Sequence, residues 1–242
     1  MAPQGTIVSN RILVLAALER ELAPLRLGLR GHPVELVRTG VGPASAAEAT
    51  RRCVAGGPAL VINTGCCGGL APGLGAGDLV IADRVLLAGI GGASEAPPPD
   101  ARLVAAARRC ATEMGLGWSS GPLITSARAL KTPESKRDCH ARTGSAAVDM
   151  ETAAVAGAAA EVGAPYLSLR VVLDPAGESL AGVTLREARE ALRRGRLEPA
   201  ALRPSNLAGS LRFTLRLWRM SAGLAALLRR LLLVNQREGT DL

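Results

Sequence analysis

The sequence is short of aromatic and of histidine side chains. Only 2% of its 242 residues are Phe, Trp or Tyr, and its two histidines, His32 and His140, lie far apart. A core built from Ala, Leu, Val and Ile suits layered α/β packing better than an aromatic-rich β-sandwich. With so few histidines, we expect neither a metal ion nor a histidine-based catalytic triad.

Paired cysteine spacings and long apolar helices are also missing. The five cysteines are an odd number, and two of them, Cys66 and Cys67, are adjacent, so we expect reduced thiols. The longest uncharged stretch, Val54–Gly77, contains prolines and many glycines that exclude a membrane-spanning helix. The apolar run Ile12–Leu18 lacks the cleavage site of a signal peptide. These features predict a cytoplasmic protein.

The positive charge of the chain is concentrated near its C-terminus. Residues 1–185 carry 17 basic and 16 acidic side chains, whereas residues 186–242 carry 12 basic and 5 acidic ones. Residues 206–234 read as one helix with arginines and leucines on opposite sides. Two interpretations stay open: the helix packs on the core, or it contacts an anionic membrane surface. Nucleic acid is not expected as a partner, because the tail has only Phe213 and Trp218 as stacking platforms.

Predicted strands and helices alternate along most of the sequence. Strands are predicted over Ile12–Leu18, Val34–Arg38, Ala59–Asn63, Asp78–Leu87, Leu123–Ser126 and Tyr166–Leu173, and helices over Glu19–Leu29, Ala44–Val54, Asp100–Met114, Pro133–Arg142 and Thr152–Val162. This order predicts a three-layer α/β/α domain with a central mixed, mostly parallel sheet. We expect residues 1–180 to form the catalytic core and residues 181–242 to form an arginine-rich extension packed on it.

Three carboxylates lie at strand ends or in the turns beyond them, where an α/β sheet places its ligands, and one of the three begins an alanine-rich helix. They are Glu21, Glu151 and Asp174. Each also has a purely structural explanation: a solvated first-turn residue, a partner of the helix dipole, and a turn former before a proline. The residues alone leave both interpretations open.

The glycine-rich segments are equally ambiguous. Gly65, Gly68 and Gly69 permit a close approach of a ligand to the backbone, but the geometry of a tight turn explains them as well. The sequence contains neither a dinucleotide fingerprint nor a Gly-Lys-Ser/Thr phosphate loop. We therefore expect no nicotinamide, no ATP and no other cofactor.

Taken together, four segments resemble the nucleoside phosphorylase and nucleosidase superfamily. They are Thr39–Ala47, Val61–Leu70, Val148–Glu151 and Arg170–Asp174. Within it, the chain is most similar to the 5′-methylthioadenosine/S-adenosylhomocysteine nucleosidases. Two short motifs, Asp-Met-Glu at residues 149–151 and Leu-Asp-Pro-Ala at residues 173–176, resemble the hopanoid-associated phosphorylase branch, and so does the arginine-rich tail.

This resemblance implies an enzyme that breaks the bond between ribose C1′ and a purine. Glu21 matches the acid that activates water, Asp174 the acid that protonates the purine N7, and Met150 and Glu151 the pair that holds ribose. The remaining pocket residues, which would surround the base or the nucleophile, are Gly65, Cys66, Gly68, Leu130, Lys131 and Leu173. A general acid is needed because the base otherwise leaves as an anion.

Two departures from the family pattern bear on the nucleophile and the base. Phosphorolytic relatives carry an arginine in the segment that here reads Asn63–Cys66, so hydrolysis is favoured, with Arg38 or a neighbouring subunit as the alternative source of charge. Leu130 or Lys131 stands where nucleosidases have phenylalanine, and Leu173 replaces a serine. Adenine is the expected base, and a futalosine-type hypoxanthine substrate stays open.

The resemblance also suggests substrates and partners. The favoured substrate is adenosylhopane, a nucleosyl lipid whose hydrolysis would bring the enzyme to the inner membrane. The alternative substrates are methylthioadenosine, S-adenosylhomocysteine or futalosine, and an alternative of another class is a non-catalytic nucleoside- or lipid-binding protein. A homodimer is expected, because relatives complete the pocket for the 5′ substituent from a second subunit.

Overall fold

The computed structural model describes residues 11–56, 60–180 and 222–234. Its strands are β1 (Ile12–Ala16), β2 (Val34–Arg38), β3 (Leu60–Gly69), β4 (Leu79–Gly89), β5 (Gly92–Glu95), β6 (Trp118–Thr125), β7 (Ala147–Asp149) and β8 (Tyr166–Asp174). Its helices are α1 (Glu19–Gly28), α2 (Pro43–Val54), α3 (Ala101–Glu113), α4 (Pro133–Thr143) and α5 (Thr152–Ala160), and residues 222–234 are also helical.

The strands form one mixed sheet in the order β2-β1-β3-β7-β6-β4-β5, in which β8 pairs with both β3 and β4. The β1/β2, β1/β3, β3/β8, β4/β6 and β6/β7 pairs are parallel, and the β3/β7, β4/β5 and β4/β8 pairs are antiparallel. The predicted mixed, mostly parallel sheet is confirmed. It is not an open sheet, however, because β8 bridges β3 and β4 and thereby closes a ring of five strands.

Helices cover the sheet on two sides, as predicted. Alternate side chains of β1 show this: Val14 and Ala16 belong to a cluster with α1 and α3, whereas Leu13 and Leu15 belong to a cluster with α2 and α5. Such alternation is the period of a strand buried on both faces.

Local sequence signals define most helix starts. Asp100 accepts hydrogen bonds from the backbone N–H groups of Arg102 and Leu103, and therefore caps α3. Thr132 caps α4 in the same way, and Pro43 occupies the first turn of α2. These starts agree with the sequence predictions to within a residue or so.

The main local error of the sequence analysis concerns the glycine cluster. The strand predicted over Ala59–Asn63 is longer: the segment from Thr64 to Gly69, for which a tight turn is one of the two interpretations, is the second half of β3. A strand can continue through these glycines because β8 pairs with it as far as Gly68 and β7 pairs with its last two residues. β7 itself was missed, since three residues carry too little periodicity to be recognised.

The described part of the predicted C-terminal helix packs on the core. Leu224, Leu227, Leu228 and Leu231 are at most 8% exposed and join the cluster that contains α1 and α3. Arg230 Nη2 donates to Glu113 Oε2 of α3 at 3.0 Å. In this segment the leucines are therefore covered by the protein itself. Residues 206–221 of the predicted helix lie outside the described residues, and the boundary near residue 180 stays a prediction.

None of the described helices has the length and apolar character needed to cross a bilayer.

The close packing of α1 against the 222–234 helix is testable at Gly28. A Cβ placed there would lie 2.6 Å from Ala225 Cβ. We expect Gly28→Ala to lower the free energy of unfolding by about 1–2 kcal/mol. The steric clash destabilises the fold by more than the higher helix propensity of alanine stabilises it. The measurement is urea denaturation.

The second half of this test removes the clash. In an Ala225→Gly background, Gly28→Ala is expected to be neutral or stabilising. A loss of the same size in both backgrounds would contradict the proposed contact between the two helices.

Candidate functional site

Glu21 is a buried carboxylate that links the start of α1 to β3. Its Oε1 accepts a hydrogen bond from Cys66 N at 3.0 Å, and its Oε2 accepts one from Leu18 N at 2.9 Å. The second bond is local, because the third residue of a helix can reach back to the backbone N–H of the capping residue. The first bond is long-range and brings the carboxylate to the glycine-rich half of β3.

The backbone angle and the close contacts at Gly65 require a glycine at this position of β3. Its φ of +127° is rare for residues with a side chain, and a Cβ there would lie 2.9 Å from both Glu21 Oε1 and Arg170 Nη1. Any other residue would therefore disturb both charged groups. The predicted close approach at Gly65 is consequently made by the protein's own side chains.

Asp174 is the second buried carboxylate and ends β8. It pairs with Gly68 of β3, and a Cβ on Gly68 would lie 3.7 Å from both of its carboxyl oxygens. Its Oδ2 lies 2.6 Å from Nζ of Lys136, a fully buried side chain of α4. Burial raises the pKa of Asp174, and the lysine acts in the opposite direction.

The two carboxylates therefore flank one stretch of β3, Glu21 at Gly65 and Asp174 at Gly68. Three residues of a strand span roughly 10 Å. This is the spacing of the two backbone positions that the carboxyl groups contact. Glycosidases that invert configuration also use two carboxyl groups, which leave room for a water molecule beside the sugar. The arrangement is thus suited to acid–base chemistry on both sides of a glycosidic bond.

Glu151 connects a third segment to this region. It lies at the N-terminus of α5, and its Oε1 accepts a hydrogen bond from Gly42 N at 2.9 Å. Its Oε2 lies 4.0 Å from Arg170 Nη2. Burial raises the pKa of Glu151 to about 7, against the opposing effect of Arg170. Met150, the residue before it, is half-buried.

Arg170 is the centre of a buried polar network that the sequence analysis did not identify. Its side chain is 1% exposed and donates to Asp149 Oδ2, to Thr152 Oγ1 and to the carbonyl of Thr64. Asp149 in turn accepts a hydrogen bond from Thr125 Oγ1 at 2.7 Å. The available signal was a charged residue inside an otherwise apolar strand, since such a residue needs buried partners.

The remaining predicted pocket residues are not all in one place. Cys66 follows Gly65 on β3, and burial raises the pKa of its thiol well above the ordinary value. Leu130 packs in a small cluster with Cys139 of α4, whereas Lys131 is exposed. Leu173 belongs to the larger hydrophobic cluster with α1 and α3. The roles of these residues toward a ligand stay predictions.

All five cysteines are unpaired. This agrees with the expectation of reduced thiols.

Comparison with known proteins gives consistent results. A family model described as the phosphorylase superfamily matches residues 19–202. A 5′-methylthioadenosine/S-adenosylhomocysteine nucleosidase of Aeromonas salmonicida (strain A449) is 30% identical over 201 residues, covering 69% of this chain and 87% of the relative. The enzyme of the same name from Geobacillus thermodenitrificans (strain NG80-2) is 32% identical over 165 residues, covering 62% and 70%.

Among solved structures, the native structure of futalosine hydrolase of Helicobacter pylori strain 26695 superposes with a TM-score of 0.70. The match covers 91% of this chain and 96% of that one at 20% sequence identity. At this identity the likeness concerns the fold.

Proposed function

The chain belongs to the phosphorylase superfamily, and we propose on this premise that it is a purine nucleosidase that hydrolyses the ribose–adenine bond of a 5′-substituted adenosine. The observation that carries the proposal is the pair of buried carboxylates, Glu21 and Asp174, at the two ends of the Gly65–Gly68 stretch of β3. The names of the two relatives support the same bond and the same class of substrate.

In the proposed reaction the two carboxyl groups have opposite tasks. Two backbone N–H groups orient the Glu21 carboxylate, which accepts a proton from the attacking water. Asp174 donates a proton to N7, so that adenine leaves as a neutral base. Its raised pKa favours the protonated form that this task requires.

Glu151 and Met150 are proposed to hold the ribose. An ionised carboxylate accepts hydrogen bonds from sugar hydroxyls, whereas a protonated one has a reduced capacity to accept. The contact of Glu151 with Gly42 N fixes one of its oxygens and aligns the side chain with the loop before α2.

A pH dependence of substrate binding follows from this role. Because burial raises the pKa of Glu151 to about 7, the ionised form is lost as the pH falls below that value. We expect KM to rise by up to about tenfold per pH unit below that value, with a smaller change in kcat. In Glu151→Gln, KM should be high at every pH, and a wild-type KM that stays constant between about pH 6 and about pH 8 would contradict the assignment.

Water is proposed as the nucleophile rather than phosphate. The segment Asn63–Cys66 contains no arginine. Arg170, the arginine beside Gly65, uses its donors on Asp149, Thr152 and the carbonyl of Thr64. An arginine engaged in this way is a poor clamp for a phosphate ion.

5′-Methylthioadenosine and S-adenosylhomocysteine are the first substrates to test, because the relatives are named for them. Adenosylhopane is the second candidate. It is supported by the Leu173–Ala176 sequence and by the net charge of +7 over residues 186–242. An enzyme acting on this lipid would work at an anionic membrane surface. The leucines of the 222–234 helix are covered by the core, so that contact would need other parts of the chain.

The test is an assay of base release by the purified full chain with and without inorganic phosphate. Methylthioadenosine, S-adenosylhomocysteine, futalosine and vesicles containing adenosylhopane are compared. We expect adenine release at the same rate in both buffers and a free sugar as the second product. A sugar 1-phosphate would instead indicate phosphorolysis, and faster turnover of adenosylhopane would select the second candidate.

A binding protein without turnover would behave differently in this assay. The nucleosides would raise its melting temperature, but no base would be released over hours.

We also propose, from the family resemblance, that the chain acts as a homodimer. Sedimentation equilibrium tests this, and a monomer at assay concentration would contradict it.

A further inference from the structure

Lys136 of α4 is fully buried beside Asp174, and the reaction proposed above assigns it no role. Its Nζ lies 2.6 Å from Asp174 Oδ2 and donates to the carbonyl oxygens of Asp174, Pro175 and Glu178 at 2.9, 2.9 and 2.8 Å. All four oxygens come from the end of β8 and the loop that follows it. The ammonium therefore holds this loop and the carboxyl group together.

Burying a lysine side chain costs free energy, so the burial of Lys136 indicates a specific role. Lysine is almost never fully buried unless it is paired, and an ammonium removed from water needs both hydrogen bonds and an opposite charge. The three carbonyls supply the hydrogen bonds, and Asp174 is the carboxylate that supplies the charge. A methionine or leucine would fill the same space in the fold without these requirements.

We propose that Lys136 is a positioning residue for the protonation of the leaving base. Its ammonium fixes Oδ2 of Asp174, so that Oδ1 faces N7, and it stabilises the carboxylate that forms when the proton departs. The inference rests on the proposed nucleosidase function and assigns to this chain a residue that acts on the substrate only through Asp174.

The proton and electron balance of the step is simple. The O–H bond at Asp174 Oδ1 breaks as the N7–H bond forms, and the electron pair of the C1′–N9 bond moves into the purine, which leaves as neutral adenine. Water adds to C1′ and gives its proton to Glu21. The step ends with an Asp174 carboxylate beside the Lys136 ammonium and with a protonated Glu21. Before the next turnover Glu21 releases its proton to solvent and Asp174 takes one up.

The other side chains that act on Asp174 do not supply the same effect. Glu178, in the loop after β8, carries a negative charge that raises the pKa of Asp174. Cys67 of β3 interacts electrostatically with both Asp174 and Lys136, but burial raises the pKa of its thiol so far that it stays neutral. Among the described groups that act on Asp174, Lys136 increases its acidity most, and the backbone N–H of Asp174 itself acts in the same direction to a smaller extent.

The experiment compares pH profiles of kcat/KM for adenine release by the wild-type chain and by Lys136→Gln. Activity is lost as the pH rises through the pKa of Asp174, because the acid must be protonated. Without the ammonium this pKa rises, so we expect the descending limb to move upward by about one pH unit or more. The weaker acid should lower kcat by about tenfold or more, with little change in KM.

Arg137→Gln is the matched control, since Arg137 is the next residue of α4 but is exposed and pairs with Glu134. Its profile should match that of the wild type. A Lys136→Gln profile that is lower but not displaced would overturn the proposal, because a purely structural lysine would produce that result. A wild-type chain that releases no adenine would overturn the proposed function itself.

A second comparison covers the case in which Lys136→Gln melts below the assay temperature. The double variant Asp174→Asn/Lys136→Gln, which buries neither charge, is compared with Asp174→Asn alone. Equal residual rates are expected, because the lysine acts through Asp174. A further tenfold loss in the double variant would overturn the inference.

Discussion

Replacing Asp174 with asparagine is expected to lower the kcat for adenine release by about 10²–10⁴-fold, the usual contribution of a general acid. Asparagine has nearly the same shape, and its carbonyl oxygen still accepts a hydrogen bond from Lys136. It cannot transfer a carboxylic proton to N7, however, so the base would have to leave as an anion. The rate is measured by the appearance of free adenine at saturating substrate.

Asp138→Asn provides the control for this prediction. Asp138 lies on α4 close to the site but is exposed and pairs with Arg142. Its replacement should change kcat by less than about twofold, because exposed ion pairs contribute little. If Asp174→Asn retained wild-type kcat with an intact fold, another group would have to protonate the base.

Arg170→Met is expected to lower the free energy of unfolding by about 3–5 kcal/mol. The substitution leaves Asp149, whose side chain is fully buried, without its ion pair. It also removes the donors to Thr152 and to the carbonyl of Thr64. A buried carboxylate without its ion pair and a buried carbonyl without a hydrogen-bond donor each lower the stability of the fold, which explains the size of the effect.

Arg51→Met is the appropriate comparison, because Arg51 also forms a two-bond pair with a carboxylate, that of Glu161, but on the surface. We expect that replacement to lower the free energy of unfolding far less, because exposed ion pairs contribute little to stability. Urea denaturation at constant pH gives both values. Equal losses for the two variants would show that the Arg170 network does not hold the sheet and α5 together.

Much of the fold was predictable because local chemistry determines it. Asp100 begins α3 through its side-chain hydrogen bonds, and Pro43 begins α2. The strand Val34–Arg38 was predicted with its observed bounds. In each case the signal lies within a few residues of the element that it defines.

The closure of the sheet was not predictable in this way. It depends on β8 pairing with β3 on one side and β4 on the other, contacts between segments about a hundred residues apart. The extension of β3 through its glycines has the same origin, because glycine is permissive of turns and strands alike. Only the neighbouring strands decide between them.

The site shows the same division between local and distant information. Glu21, Glu151 and Asp174 could be selected from the sequence because Glu21 and Asp174 follow predicted strands and Glu151 begins a predicted helix. Lys136 gave no such signal, since a lysine in a polar helix normally lies on the surface. Its burial results from the packing of α4 against the loop after β8, a contact that the sequence of the helix does not indicate.

We propose that Glu21 and Asp174 act together at one glycosidic bond. The most direct test measures adenine release from 5′-methylthioadenosine side by side for the wild-type chain and for the double variant Glu21→Gln/Asp174→Asn. Steady release by the wild type and none above background by the double variant is the predicted result. Equal rates for the two proteins, or a wild type that releases no adenine from 5′-methylthioadenosine, S-adenosylhomocysteine or adenosylhopane, would contradict it.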